Sequence, residues 1–288
     1  MIPLILSIFS STIIFVIFKY FDKFKIDTFQ AIVFNYFTAA GIGFILYGNE
    51  WNDSSLTNTT WLPFVFISAF MFIGLFFIMG KSSQVNGVAS TSIAVKMSMA
   101  ISLILMMIGY SENLSILKIT GITLAFIGVY LVSSPDKKTS AKANAAWMLI
   151  LLFIGSGGLD FMLNYVQKSV LGEMTPSIFT ALGLGSAGII GSIILIVLII
   201  QKKTKLAFKN ILAGIILGIP NYFSIYLLLL SYRTTGWNDS TVLAITNVSV
   251  VLCSAVIGFI IFKENKTSKK IIGLIAAILA ITTLYIAN

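Results

Sequence analysis

The chain has 288 residues, 58% of them hydrophobic and 10% charged, where a soluble domain carries about 25% charged residues. So few charges cannot cover a water-facing surface, and disorder requires the opposite composition, so the chain is that of a polytopic membrane protein with a mean hydropathy of +0.99. There is no histidine and one cysteine, Cys253, which excludes Ser-His-Asp and Cys-His catalysis, histidine metal sites, an intrachain disulfide and a cysteine metal cluster; the net charge of +9 is spread between apolar segments rather than pooled on a nucleic-acid-binding face.

A spanning helix needs roughly 20 mainly apolar residues, and ten such segments follow one another. The first, 3–19, lacks a basic start and an A-x-A site and runs straight into Lys19, Lys23 and Lys25, so it reads as a span and not as a cleaved leader. The second, 28–47, carries Asn35 and Tyr36, and the longest loop, Gly48 to Thr60, separates it from the third, 61–80. Trp51 and Trp61 flank that loop and read, with Trp147 and Trp237, as interfacial anchors. The fourth span, 88–109, holds Lys96. The fifth is 116–134, and the sixth, 145–166, holds Asp160 with Asn164 one turn further on the same face. The seventh, 177–200, contains a G-x-G-x-x-G string from Gly183 to Gly188, but inside an apolar helix with no preceding strand, which dismisses a nucleotide site. In the eighth, 211–231, Gly218 and Pro220 predict a kink beside Asn221 and Tyr222, and Gly214 with Gly218 predicts close intramolecular packing. The ninth, 238–262, carries Asn247 at mid-helix, and the tenth is 270–287.

The cations divide unevenly between the loops. Odd-numbered loops hold 15 lysines, even-numbered loops hold Lys118, Lys168 and Arg233, and Lys96 lies within a span. By the positive-inside rule the odd loops are cytoplasmic and both termini face outward.

The two halves repeat at an offset of 152. Glu112-Asn113-Leu114-Ser115 follows the fourth span and Gly121 comes nine residues after that glutamate; Glu264-Asn265-Lys266-Thr267 follows the ninth, with Gly273 at the same distance. Gly121, Ala125 and Gly128 in the fifth span match Gly273, Ala277 and Ala280 in the tenth, a small-residue stripe that lets backbones approach closely. A repeat of five spans enters the membrane from the opposite side on its second pass, which predicts an all-α protein of ten transmembrane helices in two inverted five-helix repeats, residues 1–138 and 139–288.

This doubled turn, Glu112 to Ser115 with Gly121 and Gly128-Val129, then Glu264 to Thr267 with Gly273, resembles the drug/metabolite transporter superfamily in its EamA-type branch. The resemblance implies ten helices in two halves and a transporter, often an exporter, of small organic metabolites. It departs at Ser111 and Lys263, where the family has glycine before each glutamate, and at Met97 to Ala100 and Val248 to Val250, where it commonly has proline. The resemblance also implies cytoplasmic termini, against the lysine count, which is the larger signal here. Glu112 and Glu264 read as turn residues that cap the helices following them.

A charge at the bilayer centre costs at least ~2.5–3.5 kcal/mol, so an intramembrane charge marks function. Lys96 and Asp160 lie roughly 12 and 22 Å from the cytoplasmic side at 1.5 Å per residue, a gap that a long lysine stem partly bridges. Lys96 is a candidate to bind an anionic group or to pair with Asp160, and Asp160 to take up a proton during the cycle. Asn164, Asn221, Tyr222 and Asn247 complete the candidate substrate-binding set; the plainer reading of each amide is an interhelical hydrogen bond. With no ATP-binding segment, transport is secondary or facilitative. The alternative is an ion channel or cation transporter, which would want several acidic groups at depth where only Asp160 is present. A membrane enzyme built on Lys96 with Ser90 or Ser92 has no acceptor-binding motif behind it, so the chain reads as no enzyme, with no cofactor and no metal. Its partners are a small-molecule substrate and the lipid bilayer of the cell (inner) membrane, with no nucleic acid and with oligomeric state, a homodimer included, left open.

Overall fold

A computed structural model describes residues 1–51, 59–110, 115–133, 145–171, 174–235 and 239–287. Its regular structure is helical: α1 (Ile2–Lys23), α2 (Thr28–Tyr47), a 3-10 turn at Gly48–Glu50, α3 (Leu62–Val85), α4 (Val88–Met97), α5 (Met99–Tyr110), α6 (Ile116–Ser133), α7 (Ala146–Ser169), α8 (Pro176–Ile200), α9 (Phe208–Thr234), α10 (Asp239–Ile260) and α11 (Ser268–Ala287). Six stretches, in α1, α2 with its 3-10 turn, α3, α7, α8 and α9, are long and apolar enough to cross a bilayer, and shorter apolar helices accompany them. The chain is a multi-pass membrane protein.

Local sequence sets the helix ends. Pro3, Pro63 and Pro176 occupy first-turn positions, where the missing N–H costs nothing. Asp27 caps α2 by accepting from the Phe29 and Gln30 amides at 3.0 and 3.2 Å, and Thr175 caps α8. Beyond α1, α8 and α10 the chain turns through a left-handed lysine, Lys25, Lys202 and Lys263, with φ of 50°, 56° and 49°. Glycine is the usual residue there, but a cation at a helix C-terminus suits the macrodipole.

Small residues decide the packing. α2 runs parallel to α9, where a Cβ on Gly214 would stand 2.5 Å from the Ala31 carbonyl oxygen and one on Gly218 2.8 Å from that of Asn35. The close intramolecular packing expected of this glycine pair is thus present. On its other side α2 meets α8 antiparallel, with Gly188 and Gly191 seated on Phe37 and Val33. α6 and α11 pack antiparallel through the predicted stripe. Gly121 lies against Ala280 and Leu284, Gly128 lies against Gly273 and Ala277, and Ala125, Ala277 and Ala280 are fully buried. Apolar side chains such as Ile5, Phe9, Ile13, Ile189, Ile193 and Ile196 cover the outer surface, as lipid contact requires.

Lysine-bearing loops gather at one end. Lys209 Nζ donates to the Lys25 carbonyl at 2.9 Å, and Lys19 Nζ to that of Gln84 at 2.8 Å. Beneath them the buried Gln30 amide donates to Thr204 Oγ1 at 2.7 Å and the Lys205 carbonyl at 3.0 Å, and accepts from Asn210 Nδ2 at 2.9 Å. Three sequence expectations need correction. The span 88–109 is not one helix, because a turn at Ser98 divides α4 from α5. Trp61 is no interfacial anchor: it is 5% exposed and packs with Val65, Val166, Leu171 and Phe179. Glu264 does not cap the helix that follows it; its carboxylate crosses to the first turn of α4, where Oε1 accepts from the Val88 amide at 2.6 Å. Glu112 and Trp237 fall outside the described residues.

Candidate functional site

The turn at Ser98 is where the candidate residues meet. The Ser98 hydroxyl donates back to the Val95 carbonyl at 2.6 Å, a local bond that competes with helix continuation, and the Ile101 amide bonds to the Ser98 carbonyl three residues back at 2.9 Å. α7 presses into the gap. A Cβ on Gly157 would lie 2.6 Å from the Ser98 carbonyl oxygen and 2.5 Å from Ile101 Cβ, so only glycine lets the two backbones come this close. One turn further along the same α7 face stands Asp160, near enough to the Ser98 hydroxyl for the two groups to interact. Ser98 thus has two acceptors in reach, the Val95 carbonyl and Asp160.

Lys96, in the last turn of α4, is close enough for its charge and that of Asp160 to act on each other. The Asp160 side chain is accessible and Lys96 is half-buried, although the α7 face that carries Asp160 also carries the buried Phe153. From α10, Asn247, 6% exposed, donates to Met99 Sδ at 3.7 Å, directly beyond the turn. Lys96, Ser98, Asp160 and Asn247 therefore surround one helix discontinuity, with Ile93, Met97, Ala100 and Val251 as apolar backing. Ser92 donates to the Ala89 carbonyl at 2.9 Å and the Ser90 hydroxyl has no partner, so neither serine is bonded to Lys96.

The remaining candidates divide. Asn164 lies in α7 one turn beyond Asp160, and its side chain is outside what the structure describes. Asn221 and Tyr222 are buried in α9, which stays helical through Pro220. Tyr222 faces α2 at Gly43, not the Ser98 turn. Its ring lies parallel to Tyr226 with centroids 6.1 Å apart, and Tyr226 meets Tyr47 edge-on at 5.5 Å. Asn35 is fully buried with neither amide atom bonded, while Tyr36 donates to the Phe72 carbonyl at 2.6 Å.

Ser98, Gly157 and Met99 were not singled out from the sequence. The available signal was the stretch Met97 to Ala100, where the resembled family carries proline: the helix is interrupted there by other means. At the corresponding stretch of the second half, Val248 to Val250, α10 runs unbroken.

Comparison with known proteins bears on the family and the fold. Residues 1–134 match the EamA-like transporter family. A protein of Haemophilus influenzae described as uncharacterised is 26% identical over 288 residues, 98% of this chain and 97% of its own. A crystal structure that shares only 10% identity superposes over 96% of each chain with a TM-score of 0.58, which shows a common fold.

Proposed function

We propose that this chain, EamA-like over its first 134 residues, is a secondary or facilitative transporter that exports a small organic metabolite by alternating access. The observation that carries the reading is the polar group gathered at the broken helix. Lys96, Ser98, Asp160 and Asn247 come from three helices to one turn, and discontinuous helices mark substrate sites at the junction of transporter repeats. Groups so costly in lipid are retained where they face a wet crevice and a solute. The lysine ammonium takes an anionic part of the solute, and the carboxylate takes a cationic part or a proton, giving the cycle its coupling. Asn164 lines the same helix, and Asn221 with Tyr222 serves a second patch along the α2–α9 seam.

The rest of the reading follows from topology. Two halves, 1–138 and 139–288, are related as inverted repeats. The α6–α11 pair supports this: Gly121 lies on Ala280 and Gly128 on Gly273, a reciprocal arrangement at the offset of 152, as a pseudo-dyad between the two helices demands. The lysine end is cytoplasmic and the membrane is the cell (inner) membrane. The test is flux in liposomes. Thermal-shift screening of the purified protein against amino acids, sugars, nucleosides and phosphorylated metabolites selects the solute, since a ligand at 100 Kd adds about 2.7 kcal/mol of stability. Lys96→Ala and Asp160→Ala then abolish its transport while the protein stays folded. Wild-type rates in both would remove the proposal, and current without saturable flux would make the protein a channel.

A further inference from the structure

The cap on α4 comes from the other half of the chain. Glu264 sits in the α10–α11 turn, and its Oε1 accepts from the Val88 amide at 2.6 Å, a short charge-assisted bond to the first turn of the helix that ends in Lys96. Two glycines make room. Gly87 has φ +95°, and a Cβ there would fall 2.5 Å from Glu264 Oε2; a Cβ on Gly258 would fall 2.8 Å from the same oxygen. Oε2 itself is buried and unbonded. A pocket of about 180 Å³ opens beside the carboxylate toward the lysine end, lined by Lys19, Asn86, Phe262, Lys263 and Lys270.

Inward of this contact the seam is polar but closed. Val88 through Ala94 are all buried, Ser90, Thr91 and Ser92 among them, and Ser82 Oγ pairs with Thr91 Oγ1 at 2.8 Å. The hydroxyls of Ser83, Ser90 and Ser254, from α3, α4 and α10, are buried with no partner. Among the described residues, the buried unbonded side-chain atoms are these three, Glu264 Oε2 and the Asn35 amide. Of these, Ser90 lies on α4 between Glu264 and Lys96, with the buried Thr91 and Ser92 next to it. Buried polar groups are nearly always bonded, to protein or to ordered water, so these unbonded hydroxyls call for an explanation.

We propose that Glu264 is the latch of the lysine end: it holds the first turn of α4 shut against α10, and its release opens a hydroxyl-lined path from that end to Lys96. This rests on the transporter reading, of which it describes the inner gate. α4 is the moving element, and the Ser98 turn lets it move apart from α5. The Glu264 carboxylate does not touch the solute.

The experiment reads exposure of Ser90 without needing the solute. In a Cys253→Ser background, Ser90→Cys is reacted with a charged maleimide in the purified full chain, and Ser68→Cys, fully buried in α3, serves as control. Glu264→Ala, which removes the acceptor, and Gly258→Ala, which displaces it sterically, each raise the rate at position 90 by about tenfold or more, the shift expected on losing one charge-assisted bond. Glu264→Gln, which keeps an acceptor, returns the rate toward wild type, and position 68 stays unreactive throughout. Unchanged reactivity at position 90 in Glu264→Ala overturns the proposal, as does a parallel rise at position 68, which marks general loosening, or a glutamine variant as reactive as alanine. Should Glu264→Ala fail to fold, Gly258→Ala carries the test. Absent solute flux alongside these labelling results would remove the transporter reading and leave the latch standing.

Discussion

Gly157→Ala tests whether the contact between α7 and the Ser98 turn positions the site. The added methyl would stand 2.5 Å from Ile101 Cβ, 2.6 Å from the Ser98 carbonyl oxygen and 2.9 Å from Ile101 Cγ2. Carbon atoms rest at about 3.5–4.0 Å, so α7 and the turn must part by about 1 Å. Overpacking of this kind costs about 1–3 kcal/mol, and replacing a mid-helix glycine with alanine returns about 1 kcal/mol. The balance is a loss of roughly 2 kcal/mol or less, which a folded protein survives. Function fares worse. Asp160 is carried one turn away on the same face, and a positioned group moved by about 1 Å can lose on the order of 100-fold in rate. Gly158→Ala is the control, since its methyl meets only Met71 Cε at 3.9 Å; it gains about 1 kcal/mol of helix propensity and leaves transport alone. Thermal unfolding and liposome flux are measured on both. Wild-type flux in Gly157→Ala, or equal loss in Gly158→Ala, refutes the argument that this contact sets the geometry.

Two further outcomes follow from the lysine end. Gln30→Ala strips the buried amide that joins Thr204, the Lys205 carbonyl and Asn210; leaving these groups unpaired costs about 1–3 kcal/mol and lowers the unfolding temperature, whereas an unchanged temperature would mean that water replaces the amide freely. Lys202→Gly relieves a left-handed backbone at φ 56° on an exposed side chain and raises stability by about 1 kcal/mol, checked by thermal unfolding, with Lys203→Gly in the same loop as the comparison that gives no gain.

Much of this was legible in the residues. Apolar runs of about 20 fixed where the helices lie, because only a helix satisfies its own backbone in hydrocarbon. The glycine and alanine stripe from Gly121 to Gly128 correctly announced a close helix contact, and Gly214 with Gly218 another. The charges at Lys96 and Asp160 were conspicuous for their cost, and the structure brings them within electrostatic reach. The interruption of the fourth span was not legible, because Ser98 breaks the helix through a hydroxyl that any serine carries and through the α7 backbone at Gly157, about 60 positions away in the chain. The burial of Trp61 is hidden in the sequence for a similar reason: an aromatic beside a loop has an interfacial pattern, and only the fold brings Val166 and Phe179 over it.

Sequence alone therefore determined the solvent of this protein, the number and length of its apolar segments, and the rare ionic groups within them, since these depend on local composition and on periods of a few residues. Tertiary structure decided the rest: that Tyr222 turns to α2 while Asn247 turns to the Ser98 turn, and that Glu264 serves a helix 176 residues away. Those outcomes depend on which backbones approach within a few ångströms of each other. That is fixed by the whole set of helix contacts at once and is written at no single position of the chain.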